Sequence, residues 1–115
     1  MGDFVTLSGA SDVAYEYEPM TINAPWDNVA GNYAFASQID LGRWRVFYVG
    51  EANNLRECLT SHDLWPKAAS LGCTHVLAHA NDKGVQARQL EERDLVATLK
   101  PSMNRDYDPM AVDWE

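Results

Sequence analysis

The chain has 115 residues, 46% of them hydrophobic and 23% charged, with a formal net charge of −8. That length fits one domain with a single modest core, and no apolar run approaches the roughly eighteen residues of a membrane-spanning helix. The start, Met1-Gly2-Asp3-Phe4, has no basic, apolar leader pattern. Two cysteines make no disulfide framework, so a reducing cytoplasm is the expected compartment.

The charge is uneven. Residues 1–30 carry five acids and no Lys or Arg, and residues 105–115 carry a net −3. Residues 31–104 balance eight bases against eight acids. A neutral middle with acidic flanks argues against tight non-specific binding to duplex DNA, where affinity comes largely from cations on phosphates. It leaves room for a small local phosphate site.

In chain order, residues 1–30 read as an acidic N-terminal arm packed on the domain. Within it Val13–Tyr17 alternates like a short strand, and Pro19 and Pro25 then break regularity. Trp26 is expected to be buried there, because an indole is mostly hydrophobic area. Asn32–Ser37 and Trp44–Val49, rich in aromatic and β-branched residues, read as antiparallel partners with Gly42 at a positive-φ position between them. Strict alternation would put Trp44, Val46 and Tyr48 on one face and Arg45, Phe47 and Val49 on the other. Asn53 or Asn54 suits the N-cap of a helix carrying Leu55 and Leu59 inward. Pro66–Leu71 reads as a short helix with Gly72 after it. Cys73–Ala80 is a third strand, with Cys73, His75, Leu77 and His79 on one face. Val85–Leu99 is the longest helix, stopped by Lys100-Pro101. Residues 105–115 form an acidic tail.

Taken together, Gly31-Asn32-Tyr33, Tyr48-Val49-Gly50, Asn54-Leu55 with Leu59 and His62, Leu90-Glu91-Glu92 with Leu95-Val96, and Lys100-Pro101 with Asn104 resemble the GIY-YIG nuclease superfamily. The likeness spans residues 31–104. It is nearest to small stand-alone bacterial proteins of that family, which share a segment like Gly72–Leu77 and the Glu-Glu-Arg-Asp-Leu helix.

The resemblance implies a small α+β domain, an antiparallel three-stranded sheet flanked by helices, in a bacterial or phage cytoplasmic protein. It implies an endonuclease that hydrolyses nucleic-acid phosphodiesters, DNA being the first substrate to consider, with one Mg²⁺ (or Mn²⁺) held mainly by a glutamate. Position by position, Tyr33 and Tyr48 match the family's tyrosines, Glu92 its metal ligand, His62 its helix His or Tyr, and Asn104 its asparagine. The arginine does not carry over: Cys58 stands in its place. Arg56 is two residues early, roughly 200° around the helix, and should point away. Arg88 is the other candidate for contacting phosphate. The resemblance also admits a catalytically inactive member that binds nucleic acid or protein.

The residues can be weighed without the family. On its helix Glu92 shares a stripe with Arg88, Leu95, Val96 and Leu99. An acid on a core-facing stripe is unusual unless paired or metal-bound, so Glu92 is either a ligand or the partner of Arg88. One carboxylate plus water suits Mg²⁺. Tyrosine ionises near pH 10 and would need a nearby cation to act as a base. Cys58 and His62, spaced i and i+4, could join His75 and His79 around zinc, although no CxxC or HExxH pattern supports this.

Overall fold

The computed structural model describes residues 4–40 and 42–107, with side chains to Asn104. Five strands, β1 (Val5–Ser8), β2 (Ala14–Met20), β3 (Gly31–Asp40), β4 (Arg43–Ala52) and β5 (His75–Ala80), form one sheet in the order β1-β2-β5-β3-β4. Every pairing is antiparallel, and the sheet curls into a half-barrel. The helices are α1 (Leu55–Thr60), α2 (Trp65–Ser70), α3 (Val85–Leu99) and α4 (Ser102–Tyr107). No helix among the described residues is long and apolar enough to cross a membrane.

The α+β class agrees with the sequence, but the three-stranded sheet does not. The expected strands are present as β3, β4 and β5, with β3 central, and residues 1–30 add two more. Val5–Ser8 and Ala14–Met20 of the expected arm are therefore strands of the sheet. Pro19 suggested a stop, yet it lies inside β2, paired with Leu77 of β5. Pairing with β1 ends at Tyr17, so at Pro19 the strand has one neighbour and its missing N–H costs no ladder bond. Residues 108–115 of the expected tail lie outside the described residues.

A bulge changes which residues share a face. Phe35 pairs with Tyr48 but Ala36 pairs with Val46, so Phe47 is an extra residue in β4. An inserted residue resets the alternation. Phe47 and Tyr48, adjacent in sequence, enter the same core, while Trp44, Val46 and Val49 serve the other. Strict alternation could not anticipate this.

The sheet therefore separates two cores. One holds Tyr33, Phe35, Phe47, Tyr48 and Val76 beneath Leu55 and Leu59 of α1 and Ala68 of α2. Trp26 is buried in it as expected, its indole N–H donating to the Ile22 carbonyl. The other packs Leu95 of α3 against Tyr17, Ala34, Ala36, Val49 and Leu77. The side chain of Asn54 caps α1 by accepting from the Glu57 N–H. Pro lies in the first turn of α2, and Gly42 and Gly72 both have positive φ, as the sequence suggested.

Candidate active site

Four of the matched positions meet beneath α1. The Tyr33 hydroxyl lies 2.7 Å from His62 Nε2, and the Cys58 thiol donates to the same hydroxyl at 3.6 Å. Tyr48 packs beside both, its ring centroid 6.1 Å from that of Tyr33 and 5.8 Å from that of His62. Phe35 closes the floor, 4.9 Å from the imidazole.

The motif glycines are needed for space. A Cβ on Gly50 would sit 2.5 Å from the Tyr33 ring, and one on Gly31 would sit 2.3 Å from the His79 carbonyl oxygen. The first obstacle is a packed ring and the second is backbone, which cannot rotate away. Gly31→Ala is thus expected to destabilise the fold by about 1–3 kcal/mol or more. Thermal unfolding checks this: a variant melting with the wild type would refute the close approach.

The site is neutral by construction. The Leu64 N–H donates to His62 Nδ1 at 3.0 Å, so that nitrogen carries no proton. A neutral imidazole then has its proton on Nε2 and donates it to the Tyr33 oxygen. Burial pulls the His62 pKa below its usual value, with Asp63 opposing. Burial, then Tyr48 and Cys58, push Tyr33 far above the ordinary tyrosine range. Burial also raises the Cys58 thiol. A tyrosine held this firmly in its neutral form is a poor general base.

The depressed histidine has a stability consequence. Its folded pKa lies below its unfolded one, so as pH falls the unfolded chain takes up the proton first. Stability is full above about pH 6.5 and declines as pH drops through the unfolded and then the folded pKa. Denaturant unfolding from pH 7.5 to 5 should show this slope, and His62→Gln should flatten it. An equal slope in both proteins would mean that other groups carry it.

The cations are elsewhere. Arg56 is exposed, as its position on the helix implied. Arg88 is 4% exposed. Its guanidinium donates to Glu51 Oε1 at 2.9 Å, to Asn53 Oδ1 at 2.6 Å and to the Asn81 carbonyl at 3.1 Å. It is thus committed to holding the loops at the sheet's end, and its acidic partner is Glu51, not Glu92.

Asn104 is an anchor. Its side-chain amide accepts from the Val49 N–H at 2.7 Å and donates to the Val49 carbonyl at 2.8 Å. It pairs with β4 as a neighbouring strand would, tying α4 to the strand that carries Tyr48.

Glu92 is half-buried on α3, whose Leu95, Val96 and Leu99 pack into the second core. Among the described residues no group of three or more His, Cys, Asp or Glu side chains is placed to hold a metal ion. A magnesium ion at Glu92 would rest on one carboxylate and water, a donor set hydrated Mg²⁺ accepts. The zinc set is split by the sheet. Cys58 and His62 face the first core, while His79 pairs with Glu91 at 2.6 Å and His75 packs edge-on to Trp44 at 5.2 Å.

The carboxylate that the sequence reading overlooked is Glu91. It is 5% exposed and accepts from the Tyr17 hydroxyl, from His79 and from Asn81. Asn81 also donates to Asn32, whose amide donates to the Arg88 carbonyl. The residues of α3 that are buried are Arg88, Glu91 and Leu95. That is an i, i+3, i+7 stripe, and choosing it over i, i+4, i+7 would have found the network.

No family model matches this chain, and none of the curated proteins or solved structures is measurably similar to it. The likeness to GIY-YIG nucleases rests on the motif residues alone.

Proposed function

We infer that this chain is a GIY-YIG-type domain that binds rather than cleaves, with nucleic acid, DNA first, as the ligand class its motifs suggest. One observation carries the reading. Cys58, at the position where a phosphate-clamping arginine is expected, donates to a Tyr33 hydroxyl that also meets a neutral His62. Phosphoryl transfer relies on charge placed where negative charge develops, and losing one such contact costs on the order of 10²–10³ in rate. A cluster of neutral groups supplies none.

A slow metal-dependent nuclease is the second reading. It is favoured by Glu92, a half-buried acid at the matched ligand position. The test is cleavage of single- and double-stranded DNA and RNA with Mg²⁺ or Mn²⁺, wild type beside Glu92→Ala. The binding-module reading expects no cleavage above that of Glu92→Ala. Metal-dependent cleavage that Glu92→Ala abolishes would overturn it. If the clamp alone is missing, folded Cys58→Arg should gain about 10²-fold in cleavage rate, and the gain should vanish when Glu92→Ala is added.

A further inference from the structure

We propose that the β1–β2 hairpin, residues 5–17, is a lid latched shut by Asp94 of α3, and that it opens as a unit, lifting Tyr17 from Glu91 and His79. This goes beyond the function inferred above and does not depend on it.

The hairpin is the least tied part of the sheet. Among the described residues β1 pairs with β2 alone, and β2 meets β5 only at Glu18, Pro19 and Met20. Pro19 donates nothing to that ladder. By contrast β3 pairs with β4 from Gly31 to Asp40 and with β5 from Gly31 to Ala36. The hairpin's large buried side chains are Leu7 and Tyr17, which join Leu77 and Leu95 in the second core.

Polar contacts to α3 complete the attachment. Tyr15 and Tyr17 lie two apart on one face of β2, and Asp94 and Glu91 lie three apart on α3, so the two pairs can meet side by side. The Tyr17 hydroxyl donates to Glu91 Oε2 at 2.5 Å, and its ring stands edge-on to His79 at 4.7 Å. Tyr17 thereby covers the carboxylate–imidazole pair. The Tyr15 hydroxyl donates to Asp94 Oδ2 at 2.7 Å. Ser11 adds its hydroxyl to the same oxygen at 2.6 Å and its N–H to Oδ1 at 2.9 Å. The Ala10 N–H donates to the Asp94 carbonyl at 3.1 Å, and a Cβ on Gly9 would collide with the carboxylate. Among the described residues every donor to the Asp94 carboxylate comes from the hairpin. That is a dedicated latch made of charge-assisted hydrogen bonds. Ser11 and then Tyr15 hold the Asp94 carboxyl below its usual range. A two-stranded hairpin is marginal in water by itself, so once lifted it frays and exposes its own amides.

The test is native-state amide hydrogen exchange on the full chain, in wild type, Tyr15→Phe and Asp94→Ala. The lid predicts that the protected amides of residues 5–17 exchange about tenfold faster or more in Asp94→Ala, and less so in Tyr15→Phe. The amides of Ala34 and Val49 should keep their wild-type rates. In wild type, added urea should speed exchange in the hairpin with a shallower slope than at Val49, because a local opening exposes less surface than global unfolding. Hairpin amides that hold their wild-type rates in both variants would overturn the proposal. So would hairpin amides that accelerate only in step with Ala34 and Val49, or that share the urea slope of Val49.

Discussion

Arg88→Met is expected to be the most damaging single change in the chain. The arginine is buried and holds Glu51, Asn53 and the Asn81 carbonyl at once. Removing it leaves the Glu51 carboxylate, itself 18% exposed, facing unpaired groups. Breaking a buried pair from one side costs about 3–5 kcal/mol, a large share of the ~5–15 kcal/mol that holds a typical domain together. Lysine should rescue little, because a single ammonium cannot replace the guanidinium fork that reaches three partners. Denaturant midpoints of Arg88→Met, Arg88→Lys and Glu51→Gln check this. An Arg88→Lys protein as stable as the wild type would show that charge alone, and not the fork, is what the site needs.

Asn104→Ala should come next. The substitution strips partners from the Val49 N–H and C=O together, and Val49 is fully buried. An unsatisfied buried backbone group costs about 1–3 kcal/mol, so a loss of about 2–4 kcal/mol is expected for the two. Asn104→Asp distinguishes pairing from mere packing. Its carboxylate can still accept from the Val49 N–H but sets a second acceptor against the Val49 carbonyl. It should be at least as destabilised as the alanine variant at neutral pH. If aspartate is tolerated, the amide is not pairing with β4 in the way its distances indicate.

How much of this was legible in the sequence depended on the range of the signal. The β3–β4–β5 unit was readable because local alternation and the turn residues agree on it. The helix carrying Leu55 and Leu59 was readable from its asparagine cap. The motif order groups Tyr33, Tyr48, His62 and Cys58 with Glu92; the first four meet, whereas the helix of Glu92 packs into the other core. Pairings distant in sequence were not legible. β1 carries only four residues, and Pro19 in β2 resembles a terminator until its single neighbour at that point is known. The bulge at Phe47 is a choice made by the pairing of β3 with β4, invisible in either strand alone. The Glu91 network depends on α3 presenting one of two nearly equivalent stripes to the sheet. Its partners Tyr17 and His79 come from strands far apart in the chain, so no local pattern chooses between Glu91 and Glu92.

The proposal of a binding domain rests on the neutral state of Tyr33, His62 and Cys58. The direct measurement is ¹⁵N NMR of the His62 ring across pH 5 to 8. A neutral imidazole is expected at pH 7, protonated on Nε2 and not on Nδ1, titrating below the ordinary histidine range near 6.5. A His62 that is charged at pH 7, or that carries its neutral proton on Nδ1, would contradict it.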